Sequence, residues 1–249
     1  MESMDIGSEK TIEDLGLSGL KLIQSKAGFR YGMDTVLLAD FARIRPDDIV
    51  ADFGTGTGIL PLLLYGRGKG NIYHAFEIQT DMALIAEDNA ALNNIKDKMN
   101  VYNISVEHAE EYVGRGTVDA VIMNPPYGAY GKTIKNPDIA NSTARHQDEN
   151  TISKFLTSAN RILRGKGKLF LVYPAQQMLE IMLSLKTCRI EPKCFRLVYP
   201  YVNRPANLVL IEAVKDAKPG LLTMPPLIVY NSEGKMTPEL RGIYHMGDD

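Results

Sequence analysis

An α/β fold in which strands alternate with helices is predicted by three features of the sequence. An apolar run, Asp48-Ile49-Val50-Ala51-Asp52-Phe53, leads straight into Gly54-Thr55-Gly56-Thr57-Gly58, and Ile59-Leu60-Pro61-Leu62-Leu63-Leu64 then begins a helix. A second strand-like run, Asn71 to Glu77, ends in an acid about 20 residues further on. A third, Asp119 to Met123, stops at Asn124-Pro125-Pro126-Tyr127. Strand, glycine turn and helix in this order are the parts of a Rossmann-type nucleotide site.

Composition sets the outer limits. The 249 residues, 45% hydrophobic and 23% charged, are ordinary for a globular chain and sufficient for a substantial core in one main domain. A formal net charge of −2 gives no global attraction to nucleic acid or to an anionic membrane, so any RNA site must be a local basic patch. Cys188 and Cys194 are too few and too widely spaced for a zinc site, and no metal is expected. Met1 to Lys10 lacks an apolar signal region and no window is apolar enough to span a bilayer, so the expectation is a cytoplasmic protein without a membrane partner, most simply a monomer.

In chain order, the polar stretch from Met1 to about Asp14 is expected to fray. Gly19 to Gln24 alternates like a short strand, and Thr35 to Ala42 has helical spacing with Asp34 as a candidate cap. That helix start, rich in donors, is placed to lie over a bound cofactor or simply to pack on the sheet. Asp81 to Lys98 reads as an amphipathic helix and Val101 to Val106 as a third strand. Asp119 to Met123 is the fourth. Gly128 to Asn150 is polar and aperiodic, with the length of a functional lid or a mobile loop. Thr151 to Leu163 is a helix, Lys168 to Tyr173 a fifth strand, and Met178 to Leu185 another helix. Two further strands, about Cys188 to Tyr199 and Ala206 to Val214, form a closing hairpin, and Pro225 to Tyr230 is extended.

The glycines carry the first chemical argument. Their spacing is G-x-G-x-G, so the backbone can approach a ligand that has no pyrophosphate between its halves, such as S-adenosylmethionine. Candidate cofactor contacts are Asp52, Gly54, Gly56 and Gly58, then Glu77 with its neighbour Ile78, where such folds place the carboxylate that binds ribose hydroxyls. At the end of the third strand an acid is expected to receive the adenine amino group. The local residues are Glu107, His108, Ala109, Glu110 and Glu111, with His108 and Ala109 the candidates.

Asn124-Pro125-Pro126-Tyr127 carries the second. Two prolines end a central strand, because neither has an N–H for the ladder and each holds the preceding residue extended. The Asn124 side-chain oxygen and the Pro125 carbonyl are then adjacent acceptors that suit an –NH₂ group. An exocyclic amine on adenine is a poor nucleophile, its lone pair being delocalised into the ring. Accepting both of its hydrogens draws the nitrogen toward tetrahedral geometry, which is stabilisation aimed at the transition state. Tyr127 would stack on the base, a contact worth about 1–3 kcal/mol. Arg145, with His146 beside it, is a candidate phosphate contact, as are Lys193, Arg196 and Arg204, which are interleaved with Tyr199 and Tyr201. A solvated edge would present the same residues.

On these residues the chain resembles the class I S-adenosylmethionine-dependent methyltransferases, and among them the bacterial enzymes that methylate N6 of the adenosine 3′ to the anticodon in a valine tRNA. The resemblance covers nearly the whole chain. It rests on Gly19-Leu20-Lys21, Asp34 to Ala39, Asp52 to Gly58, Asn124 to Tyr127, Ala144-Arg145-His146, Pro205-Ala206, and Pro225 to Tyr230. It implies a seven-stranded mixed sheet with an antiparallel last strand, helices on both faces, a short N-terminal extension over the cofactor site through about residue 45, and no separate RNA-binding domain. The implied reaction is direct transfer from S-adenosylmethionine to an adenine of the tRNA anticodon loop. His108 stands where related proteins usually carry Asp, and Met33 where small polar residues are common.

Three rivals share parts of this pattern. A glutamine N5-methyltransferase acting on a protein such as a release factor would present the same planar –NH₂ to Asn124, but usually carries an N-terminal helical domain. Only 53 residues precede the glycine motif here, too few for most independent domains. A DNA adenine methyltransferase usually adds a target-recognition domain or large insertion. A non-catalytic RNA-binding module would keep the fold without the intact Asn124 to Tyr127 and Asp52 to Gly58 motifs.

Overall fold

The computed structural model describes residues 3–5, 10–25, 32–125 and 151–246. A three-stranded antiparallel sheet, β1 (Ser3–Asp5), β2 (Lys10–Asp14) and β3 (Lys21–Ser25), comes first. The main chain order then runs α1 (Met33–Phe41), β4 (Ile49–Phe53), α2 (Ile59–Gly66), β5 (Ile72–Phe76), α3 (Thr80–Leu92), β6 (Met99–Tyr102), α4 (Ala109–Val113) and β7 (Val118–Met123). Helix α5 covers 151–162, and β8 (Leu163–Pro174), α6 (Met178–Thr187), β9 (Ile190–Tyr199) and β10 (Leu208–Lys215) follow. Two short strands, β11 (Leu222–Thr223) and β12 (Leu227–Ile228), precede α7 (Pro238–Ile243).

The main sheet has the order β6-β5-β4-β7-β8-β10-β9-β11, with β12 also on β9. From β6 through β8 every pairing is parallel, and β10 is antiparallel to both neighbours. The expected seven long strands with an antiparallel last one are therefore present, widened to nine by β11 and β12. Alternate residues of the central strands face two cores. Val50, Ala120, Ile122, Phe170 and Val172 meet the helices of one face, while Ala51, Phe53, Val121, Leu169 and Leu171 meet those of the other. Burial on both faces explains why these strands read as continuous apolar runs.

Three local expectations are corrected. The start of the chain is not frayed throughout: β2 pairs with β3, and β3 is held by α3, where Asn89 accepts from the Ile23 N–H and donates to its carbonyl. Asn93, one turn on, does the same for Lys21. Helix α3 ends at Leu92 rather than Lys98, because Asn94 turns left-handed at φ 54° and the Ile95 N–H folds back onto the Ala90 carbonyl. The third strand accordingly starts at Met99 and ends at Tyr102, four residues before Val106.

Candidate active site

The carboxyl ends of β4, β5 and β7 open into a cavity of about 500 Å³, within the range of ordinary small-molecule sites. In parallel sheets that edge is where ligands bind. Gly54, Gly56 and Gly58 all have positive φ, 73°, 57° and 79°, so every other residue of the turn after β4 is left-handed, a conformation that only glycine adopts without strain. Gly54 and Thr55 donate their N–H groups to the Phe76 carbonyl, which fastens the turn to β5. At Gly58 an added Cβ would stand 2.6 Å from Met99 Cε and 3.3 Å from Ala86 Cβ, so the third glycine also permits close packing on α3 and β6.

Glu77 is 5% exposed and lines this cavity. Its Oε2 accepts from Gly56 N at 2.8 Å and its Oε1 from Gln79 N at 2.9 Å. The carboxylate thus holds the glycine turn in shape; the Gln79 side-chain amide also donates to Oε1, at 3.5 Å, so Oε2 is the oxygen that keeps a lone pair for a ligand hydroxyl. Asp52 differs. It lies buried beneath the turn, and among the described residues neither oxygen has a hydrogen-bond partner, the nearby Thr55 hydroxyl not reaching hydrogen-bond geometry. Burial pushes its carboxyl up to about 7; proximity to Thr55 opposes the shift and the charge of Glu77 adds to it.

Asn124, at the end of β7, is partly buried and shares the cavity wall with Pro125. Its Nδ2 donates to Asp34 Oδ2 and to Thr35 Oγ1, both at 3.1 Å, so the start of α1 reaches across to the end of β7. Asp34 and Thr35 line the cavity themselves.

The other expected residues separate. Gly54, Gly56, Glu77, Ile78, Asn124 and Pro125 line the cavity; Asp52, Gly58, His108 and Ala109 do not. His108 is displaced because β6 ends early. The segment at the cavity is Ile104-Ser105-Val106, while His108 is exposed with its Nδ1 2.8 Å from Glu111 Oε1, and Ala109 is buried in the core. Tyr127, Arg145 and His146 lie outside the described residues. Arg196 is committed to structure: its guanidinium donates to the Pro225 carbonyl at 3.0 Å and pairs with Glu239 at 2.6 Å. Lys193 donates to the Lys218 carbonyl and sits about six residues, or roughly 20 Å, back along β9 from the site edge. Arg204 is exposed on the turn between β9 and β10, which the pairing of Leu208 with Pro174 puts at the same edge as the cavity. Tyr201, on the same turn, lies 5.6 Å from Tyr230 between ring centroids.

Sequence reasoning missed Phe155 and Thr55. Phe155 had the spacing of a core residue on α5, yet it packs edge-on against Phe53 and lines the cavity under Gly54.

The donor set suits S-adenosylmethionine: a glycine turn lined also by Thr55 and Thr57, a buried strand-end carboxylate with a spare lone pair on Oε2, and an apolar wall from Met82, Ile104, Val106 and Phe155. Comparison with known proteins agrees. The methyltransferase small domain family model matches residues 25–191. A tRNA1(Val) (adenine(37)-N6)-methyltransferase of Tolumonas auensis is 30% identical over 228 residues, covering 87% of this chain and 88% of that one. The enzyme of the same name from Parabacteroides distasonis is 30% identical over 198 residues, 78% of this chain and 81% of that one. Among solved structures, a predicted O-methyltransferase from Agrobacterium tumefaciens has a TM-score of 0.67 at 24% identity, covering 86% of this chain and 96% of that one. Methanocaldococcus jannaschii TYW2, solved with AdoMet, has a TM-score of 0.56 at 14% identity, covering 85% and 88%. Likenesses this distant speak for the fold alone. On the family match and these relatives together, the chain belongs to the methyltransferase small domain family, alongside the tRNA1(Val) (adenine(37)-N6)-methyltransferases.

Proposed function

We propose that this protein is an S-adenosylmethionine-dependent methyltransferase that modifies N6 of an adenine in tRNA, within the anticodon loop and next to the anticodon on its 3′ side. The observation that carries the reading is the meeting of Asn124 and Pro125 with the glycine turn in one cavity. The relatives named for this reaction match over most of their length. S-adenosylmethionine supplies, when bound, a methyl group already activated as a sulfonium.

The chain's own residues then orient and desolvate. Gly54, Gly56, Glu77 and Ile78 hold the cofactor in the cradle, with Asp52 buried beneath the turn and Gly58 letting it pack closely on α3 and β6. Asn124 and Pro125 accept the two N6 hydrogens and draw the nitrogen lone pair out of the ring. The N6 proton leaves to solvent once nitrogen is cationic, so no strong general base is needed. The adenine must leave its stack, and that step costs least in a single-stranded loop. Tyr127 stacks on the base and Arg145 and Arg204 meet phosphates. The whole chain acts as one methyltransferase domain whose first 45 residues or so lie over the cofactor. The substrate places the enzyme in the cytoplasm, and among the described residues no helix is long and apolar enough to cross a membrane.

The experiment is methyl transfer from labelled S-adenosylmethionine to unmodified bulk tRNA, with nucleoside analysis and purified release factor in parallel. Label in N6-methyladenosine is expected, and Asn124→Ala should lower kcat by about 10²–10³ with cofactor affinity nearly unchanged. Label on release factor alone would move the reaction to glutamine.

A further inference from the structure

The Asn124 amide can present its oxygen to the substrate in only one of its two flipped orientations. Rotated by half a turn, it would offer –NH₂ to the target –NH₂, donor against donor. The contacts at the start of α1 decide between the two. Asp34 Oδ1 accepts from its neighbour's backbone, Thr35 N, at 2.8 Å, and from Thr35 Oγ1 at 3.4 Å. This leaves Oδ2 to meet Asn124 Nδ2 at 3.1 Å, while the Thr35 hydroxyl, its proton turned toward Asp34, accepts from the same nitrogen at 3.1 Å. A carboxylate offers acceptors only, so a flipped amide would set oxygen against oxygen. Gly32 makes the arrangement possible, since a Cβ there would stand 2.5 Å from Asp34 Oδ1.

We propose that Asp34, with Thr35, is a positioning residue that locks the Asn124 amide with its carbonyl oxygen toward the target amine. The pair works across the cavity mouth, joining α1 to the end of β7 through residues 90 positions apart. The role rests on the reading of Asn124 as the amine acceptor and adds to it the group that sets its orientation. It also gives the N-terminal segment a task in the transfer step that is separate from holding the cofactor.

The test separates orientation from binding and from folding. In Asp34→Ala, kcat on unmodified tRNA should fall about 10- to 100-fold, with the Kd for S-adenosylmethionine within about threefold of wild type. Asn124→Asp sets two carboxylates face to face and should be almost inactive. In the double variant Asp34→Asn/Asn124→Asp the amide at 34 donates to the carboxylate at 124, which shows an oxygen to the target whichever way it turns. Activity should recover at least about tenfold over Asn124→Asp. Gly32→Ala leaves both partners in place but displaces the Asp34 carboxylate, and should lower kcat in the same direction. Should Asp34→Ala fail to fold, the isosteric double variant and Gly32→Ala carry the test alone.

A wild-type kcat in Asp34→Ala, a weakened cofactor Kd with kcat retained, or a double variant no better than Asn124→Asp would each overturn the proposal. Full activity in Asn124→Ala would instead sink the reading of Asn124 itself. Loss in Asn124→Ala beside full activity in Asp34→Ala would sink only the positioning role.

Discussion

Two acids at neighbouring strand ends, Glu77 after β5 and Asp52 within β4, are both buried, yet they are treated in opposite ways. Glu77 spends its oxygens on two backbone N–H groups and so costs little to bury. Asp52 has no such partners, and burial lifts its carboxyl to about 7. The difference shows where the molecule invests stability. Glu77 holds the glycine turn in shape, whereas Asp52 is a buried carboxyl beneath it with no hydrogen-bond partner among the described residues. Arg196 and Arg204 repeat the contrast at the other end of the sheet, one tied into the fold and the other exposed on a turn.

The largest expected effect breaks the comparison at Asp52. Its pKa is raised from 3.8 unfolded to about 7 folded, so the folded state binds the proton more tightly. Stability from this group is present below about pH 4, is lost as pH rises toward 7, and stays lost above it. Asp52→Asn should therefore stabilise the ligand-free protein at pH 8, by on the order of 4 kcal/mol, with the gain shrinking toward pH 5. Thermal melts of both proteins across that range check it. A pH-independent difference would mean that Asp52 is not the group that titrates.

Glu77→Gln comes next. The amide can still accept from one backbone N–H, but its –NH₂ then faces the other, leaving a buried donor unpaired at about 1–3 kcal/mol. Calorimetric titration with S-adenosylmethionine should show a Kd weakened by roughly 10- to 100-fold. Gly58→Ala combines a φ of 79° with the close approach of Met99 and Ala86. It should lower stability by about 1–2 kcal/mol, measured by urea unfolding, and weaken the cofactor as well. The smallest effect sharpens the contrast between the two arginines. Arg204→Ala should raise the KM for tRNA a few-fold and flatten its salt dependence, while Arg196→Ala should lower the melting temperature and leave that salt dependence unchanged.

The cradle was legible because its signals are local. The glycines, the strand-end acid at Glu77 and the proline stop after Asn124 each constrain the backbone where they stand, so order and spacing predict the fold and the place of the site. His108 was misplaced because the placement of β6 depends on Asn94 turning left-handed, an event seven residues upstream of the strand's expected start at Val101. The strand expected at Gly19 to Gln24 is β3, but its partner β2 was missed because Lys10–Asp14 is largely polar; Asn89 and Asn93 then hold β3 from 66 to 72 residues away.

By itself, then, the sequence determined the strand–turn–helix order, the cofactor class and the strand stop that leaves Asn124 and Pro125 at the end of β7, since these follow from backbone chemistry over a few residues. Only the tertiary structure decided which polar groups meet: Asp34 with Asn124, Asn89 with both Ile23 and the Thr57 carbonyl of the glycine turn, Arg196 with Glu239. Side-chain hydrogen bonds across tens of residues have no period to read. They are set by how the layers pack, and the burial that packing imposes is what makes each partner necessary.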